Sequence, residues 1–201
     1  MIDLSDVGAD FLTDKACVID LGESYDVSNL PPDLGIPPIY HSPEYTLEKK
    51  IGFGTDIWAL GCTLFEIRTG KPLFDSFDND MDDILWTMAL VLGKFPEPWW
   101  STTWKARKRI FEDHTDESGR VVEVKQEVED WPDAIQQPRA RCFQDVLARG
   151  FNYFTREGSF YRDISPEESD LFSELLTMLF KYNPDDRLTA QKALGHAWFK
   201  L

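Results

Sequence analysis

Asp56-Ile57-Trp58-Ala59-Leu60-Gly61 stands at the head of the most regular pattern in the chain. Thr55 is placed as the N-cap, and Ile57, Leu60, Gly61, Leu64, Phe65 and Arg68 follow at i, i+3, i+4 spacing until Gly70 and Pro72 stop the run. Trp58, Ala59, Cys62 and Ile67 occupy the remaining face, so the segment is apolar nearly all round. A helix of that kind is expected at the centre of a core. Asp56, in its first turn, suits the positive end of the helix dipole.

Working outward, a second helix is expected from near Asp80, with three acidic residues in its first turn, through Leu92 to Gly93. Ser165-Pro166-Glu167-Glu168 is a capping box with proline at the first helical position, opening a helix through Leu171, Leu175, Leu176, Leu179 and Phe180. A last helix is expected from Thr189 to about Ala197. Residues 94–165 lie between and are the least regular part. There Pro96-Glu97-Pro98 breaks the chain, Trp99, Trp100 and Trp104 are read as packing on the core, and the basic run Lys105–Arg109 is read as a solvated helix face. An acidic stretch from Glu112 to Asp130 completes what reads as a solvated insert. Upstream, Ala16-Cys17-Val18-Ile19 predicts a short strand ended by the turn Asp20-Leu21-Gly22. Residues 23–43, with Pro31, Pro32, Pro37, Pro38 and Pro43, predict a long pinned loop. The expectation is a mainly α chain with a short β element near its N-terminus and no internal repeats.

The 201 residues, 42% hydrophobic and 28% charged, fit one soluble globular domain. A content of 13% aromatic residues argues against disorder. The net charge of -15 disfavours direct nucleic-acid binding and favours basic partners. Cys17, Cys62 and Cys142 are isolated and lack metal-ligand spacing, which suits a reducing compartment, cytoplasmic or nuclear. Cys62, in the central helix, is expected to be inert. His41, His114 and His196 are unclustered and read as surface or capping residues. No stretch approaches the roughly 20 apolar residues of a membrane span, and no signal peptide is visible at Met1.

Asp20-Leu21-Gly22, then Ser42-Pro43-Glu44, then Asp56-Ile57-Trp58-Ala59-Leu60-Gly61, then Asp185-Asp186-Arg187 before a short terminal helix, resembles the C-terminal lobe of a eukaryotic protein kinase. The resemblance covers residues 16–201, with an activation segment at 20–44 and an insert-like region at 94–165. Residues 1–15 form an N-terminal leader. Leu21 in place of phenylalanine, Gly70-Lys71-Pro72-Leu73-Phe74, and Phe151-Asn152 with Phe154 and Gly158 are similar to the SR-protein kinases, nearest to their fungal relatives. The implied family activity is ATP-dependent phosphorylation of Ser/Thr in basic, Arg/Ser-rich proteins.

By that resemblance ATP and Mg²⁺ are the cofactors. Asp20 is the metal-binding aspartate, and Gly22, beside it, lets the backbone turn beneath the nucleotide. Leu21 is expected to pack behind them. Glu44 pairs with Arg187, Asp56 holds the catalytic-loop backbone from below, and Trp58 and Gly61 belong to the buried helix.

The sequence departs from the family in several places. It has no Gly-x-Gly-x-x-Gly, no Val-Ala-Ile-Lys and no His-Arg-Asp-x-x-x-x-Asn, so the expectation is a chain without the N-terminal lobe, and no catalytic residue is assigned. Asp3-Leu4-Ser5 is faintly similar to the catalytic loop, but Gly8 stands where an asparagine is needed. Pro37 replaces a Thr or Ser, and His41 replaces an Arg. Ser24, Tyr25 and Ser28 are phosphorylatable, with little basic charge nearby to receive a phosphate. The expectation is a partial kinase domain, incompetent alone. The alternatives are a non-catalytic pseudokinase-like module holding basic partners, and a truncated product of an active kinase. Self-association is expected through the surface left by the missing lobe.

Overall fold

The computed structural model describes residues 19–76, 78–124, 142–148, 151–155 and 158–201. The leader 1–15, the loop-like Asp3-Leu4-Ser5, Cys17 and all but the last residue of the expected strand 16–19 lie outside them. So does the acidic stretch beyond residue 124. The described fold is mainly α. Helix α1 spans Pro43–Glu48, α2 Phe53–Thr69, α3 Met81–Leu92, α4 Arg107–Ile110, α5 Phe143–Leu147, α6 Pro166–Leu179 and α7 Ala190–Leu194. Two antiparallel hairpins join them, β1 Phe111–Thr115 with β2 Val121–Glu123, and β3 Phe151–Thr155 with β4 Gly158–Arg162. Among the described residues no helix is long and apolar enough to cross a membrane.

Helix α2 begins three residues before its expected start. Gly52 is the N-cap, and Thr55, expected there, sits in the first turn with its hydroxyl accepting the Gly52 N–H at 3.2 Å. Gly70 ends the helix at φ 74°, the left-handed conformation that glycine adopts without steric cost. The buried face is Trp58, Gly61, Cys62, Phe65 and Thr69, whereas Ile57, Leu60 and Leu64 are half-buried and Phe53 and Ile67 are 73% and 72% exposed. The helix is therefore central but one-sided. Its all-round apolar composition predicted more burial than two exposed ends allow.

The core forms where α2 meets α6. Trp58 stacks on Phe74 with ring centroids 5.4 Å apart, and Phe180 meets Trp58 edge-on at 4.8 Å and Phe74 at 5.3 Å. Gly61 makes room for that ring: a Cβ there would lie 2.8 Å from Phe180 Cζ. We expect Gly61→Ala to destabilise by about 1–2 kcal/mol, the overpacking cost outweighing the ~1 kcal/mol helix-propensity gain. A melting temperature unchanged or raised would mean that the aromatic cluster can shift.

Ser165 caps α6 by accepting the Glu168 N–H at 3.1 Å. Glu168 turns away from the cap and takes Arg68 of α2 at 2.5 and 2.8 Å, which ties the two helices together. Helix α3 keeps its expected limits, with Asp80 accepting the Asp82 N–H and Gly93 at φ 90°. The terminal helix is shorter than expected. Thr189 caps it, but it stops at Leu194, and a 3-10 turn, Ala197–Lys200, follows with His196 as its cap.

The region after α3 is less solvated than its charge suggested. Phe95, Trp99, Trp100, Trp104, Phe111 and Val121 are all buried. Trp86, Trp99 and Trp104 donate their indole N–H groups to Glu123, Glu48 and Asp82 at 3.0, 2.7 and 2.8 Å. Within the basic run, Lys105, Lys108 and Arg109 are exposed and Arg107 is not. Arg107 lies over the Trp100 ring, donates to the Trp100 and Phe111 carbonyls, and pairs with Asp113 at 2.6 Å. A guanidinium with that many acceptors can be buried where a lysine cannot.

Candidate functional site

Residues 20–27 share a cavity with the start of α2, and residues 33–40 reach α1 through Tyr45 and the later part of α2 through Tyr40 and Glu66. Asp20 adopts a left-handed conformation, φ 60° and ψ 59°, at the head of the 3-10 turn Leu21–Glu23. Aspartate is among the few non-glycine residues that visit that region readily. Glu23 reaches forward to accept the Gly35 N–H at 3.2 Å, and Asp26 accepts both the N–H and the hydroxyl of Ser28. These local bonds give the proline-rich stretch its course.

Asp20, Glu23, Ser24, Tyr25, Val27, Gly52, Phe53 and Asp56 line a cavity of about 400 Å³. Asp20 and Asp56 are thus brought to one place. Gly22 sits beside it, where a Cβ would contact Asp20 Oδ1 at 3.7 Å. Partial desolvation holds the Asp56 carboxyl above the usual range, and burial first, then the nearby Asp56 charge, raises the Tyr25 phenol. Asp56 makes no hydrogen bond among the described residues. Leu21, expected to pack behind the turn, is instead 65% exposed, and Ile19 is 78% exposed. No described residue covers either side chain.

The carboxylates are suitable ligands for a hard cation. Among the described residues, however, no three Asp, Glu, His or Cys side chains are grouped so that they could hold a metal ion. No Lys or Arg lines the cavity to receive a triphosphate. Asp20 could therefore contribute one carboxylate to a cation held with further ligands, while the described lining by itself fits neither a metal ion nor a nucleotide. A larger cleft, about 810 Å³, opens between Lys49–Thr55, Pro96–Trp99 and Tyr182–Asp185 and includes neither Asp20 nor Gly22. Carboxylate content does not separate the two, because Glu44, Glu48, Glu97 and Asp185 line the larger cleft; the smaller cavity is singled out by the motif residues Asp20 and Asp56.

Glu44 and Arg187, separated by 143 residues, meet as a two-pronged ion pair with Nη1–Oε1 2.7 Å and Nη2–Oε2 2.6 Å. Both side chains are almost fully buried. Arg187 also donates to the carbonyls of Lys181, Gly54 and Tyr182, and lies over the Trp58 ring. One guanidinium thus ties α1, the start of α2, the 181–182 turn and the core into a single joint.

Sequence reasoning missed three contacts that shape this stretch. Tyr45 donates its hydroxyl to Asp33 and accepts the Leu34 N–H, and Tyr40 donates to Glu66 of α2 at 2.5 Å, which pushes the Tyr40 phenol up to about 12. His41, expected at the surface or as a cap, is buried because its ring is enclosed between Tyr45 and residue 36. Partners separated by a loop of irregular course leave no periodic trace. Cys62 is fully buried, which pushes its thiol far up and leaves it inert.

Comparison with known proteins bears directly on this arrangement. The chain is 28% identical over 161 residues to "Serine/threonine-protein kinase AFC3" of Arabidopsis thaliana, covering 80% of this chain and 35% of that protein. It is 27% identical over 164 residues to "Dual specificity protein kinase lkh1" of Schizosaccharomyces pombe, covering 80% of this chain and 20% of that one. Over another 164 residues it is 26% identical to "Serine/threonine-protein kinase SRPK" of Physarum polycephalum, covering 79% and 32%. The chain thus spans about a third or less of the length of these relatives, and its similarities include kinases of the SR-protein type. Residues 12–199 match the protein kinase domain, and with nearly the whole chain inside that match it belongs to the protein kinase domain family.

Proposed function

We propose that residues 16–201 act as the C-terminal lobe of a Ser/Thr protein kinase, with 20–44 as its activation segment, and that these 201 residues alone do not transfer phosphate. The observation carrying this reading is the buried Glu44–Arg187 fork, which joins the end of that segment to the helical core. Kinase chemistry consists largely of positioning phosphates, neutralising them with Mg²⁺ and orienting a hydroxyl. In this reading Asp20 would hold the Mg²⁺ and Gly22 would keep the turn close beneath the nucleotide. The groups that would hold the phosphates and take the hydroxyl proton have no counterpart in the sequence motifs.

The acidic lining of Asp20, Glu23 and Asp56, with the overall charge of -15, supports basic, Arg/Ser-rich proteins as substrates or partners. It equally supports a non-catalytic module that only holds them. Exposed Ile19, Leu21, Val27 and Phe53 support docking of a further lobe or of a second copy. A cytoplasmic or nuclear setting suits such partners.

Thermal melting with and without Mg²⁺ and ATP tests the central claim. The expected result is no rise for the 201-residue chain. A wild-type rise that Asp20→Ala abolishes would overturn the claim that the chain is inactive alone.

A further inference from the structure

Four side chains meet where residues 33–41 fold against α1. The Tyr45 hydroxyl bridges Asp33 and the Leu34 N–H, and its ring receives the edge of His41, with ring centroids 4.7 Å apart, and the ammonium of Lys49 at 4.5 Å. His41 Nε2 lies 3.0 Å from the Ile36 carbonyl oxygen, whereas Nδ1 is enclosed and has no partner among the described residues. A carbonyl only accepts, so the proton of the neutral ring sits on Nε2 and Nδ1 keeps a bare lone pair. Protonation would put an N–H at Nδ1 facing no acceptor, and would add a positive charge near Lys49. Asp33, the one carboxylate acting on the ring, is already engaged by Tyr45 and lies 4.0 Å from Lys49. Swinging out would relieve the ring of this conflict, at the loss of the bond to Ile36 and the cover over Tyr45.

We propose that His41 is a pH-sensitive latch: its neutral ring holds residues 33–36 against α1, and protonation releases them, while Tyr40 stays tied to Glu66. Burial lowers the His41 pKa below its ordinary 6.5 and Lys49 acts in the same direction, opposed by the Ile36 carbonyl and by Asp33. The released form then binds protons more readily than the latched form. The latch is complete above the ordinary value, weakens as pH falls through it, and weakens no further once the latched ring itself is protonated. Glu44–Arg187 lies on the other side of Ser42-Pro43 and remains closed. Only the consequence, acid loosening of an activation segment, rests on the function proposed above. The latch itself would operate in an inactive chain.

Hydrogen exchange at Leu34, whose N–H is shared between the Tyr45 hydroxyl at 2.9 Å and Asp33 Oδ1 at 3.1 Å, reads the opening. Each pKa unit of depression converts to a tenfold change in the opening equilibrium. Between about pH 7.5 and 5.5 the wild-type protection factor, corrected for intrinsic rate, should fall. His41→Gln retains an N–H donor without titrating and should stay flat, and α6 amides should not respond in either protein. Equal pH dependence in both proteins would overturn the proposal. If His41→Gln fails to fold, ¹⁵N spectra of the wild-type ring decide. A neutral ring protonated at Nε2 and titrating below 6.5 supports the latch, and protonation at Nδ1 or a higher midpoint overturns it.

Discussion

Arg187→Met should lower the melting temperature by roughly 10 °C or more, the largest loss expected from changing one charge in this chain. The substitution leaves Glu44 buried and unpaired, and breaking one partner of such a pair typically costs about 3–5 kcal/mol. In a domain of this size each kcal/mol moves the midpoint by about 2–4 °C. Glu44→Gln should also be costly, because its amide oxygen accepts from one arm of the guanidinium while its NH2 faces the other, donor against donor, and the buried Arg187 charge is left unpaired. The double variant discriminates between mechanisms. In an isolated ion pair, removing both partners restores much of the stability. Here Arg187 also satisfies the carbonyls of Gly54, Lys181 and Tyr182, which the double variant leaves exposed to an apolar side chain. The carbonyls lose their donor in Arg187→Met and in the double variant with Glu44→Gln alike, so the double variant should regain most of what the buried Glu44 charge costs yet stay below wild type by about 1 kcal/mol for each carbonyl left unpaired. Full recovery would show that the carbonyl bonds contribute nothing and that the joint is only a salt bridge.

What could be read from the sequence followed from how locally each element is specified. Helices α3 and α6 carry their own start and stop chemistry, Asp80 with Gly93 and Ser165 with Pro166, so their limits were visible before any tertiary contact was known. The hairpin β1–β2 was not visible. Its first strand, Phe-Glu-Asp-His-Thr, buries only Phe111 fully and is otherwise polar, so its composition reads as solvated charge. Arg107 was misread for a related reason: a basic run has one sign but not one environment, and only the positions of Trp100, Phe111 and Asp113 select which member is buried. At the site, the order of short motifs suggested that Glu44 and Arg187 meet, because a pair across 143 residues needs the whole fold between them. The Tyr45–Asp33 and His41–Ile36 contacts depend on the course of a proline-rich stretch that no periodicity encodes.

Trp58→Ala should destabilise by about 3–5 kcal/mol, the range for a fully buried tryptophan, and should loosen the Glu44–Arg187 joint as well. Trp58 is 0% exposed and touches both halves of the arrangement, Phe74 and Phe180 on the core side and the Arg187 guanidinium 5.0 Å from its ring. Removing it opens a cavity beneath Arg187 and takes away a cation–π contact of about 1–2 kcal/mol in a desolvated setting. Trp58→Phe separates these effects. The indole N–H is buried with no partner among the described residues, so a phenyl ring discards an unsatisfied donor, a gain of about 1–3 kcal/mol against the packing it loses. The net cost should be about 1 kcal/mol or less, with the face beneath Arg187 retained. Coupling to the joint is then measurable: the losses for Trp58→Ala and Arg187→Met should sum to more than the double variant shows, by about 0.5–3 kcal/mol for residues in contact. Strict additivity would mean that the aromatic floor and the ion pair stabilise the molecule independently, and that the segment ending at Glu44 is fastened by charge alone.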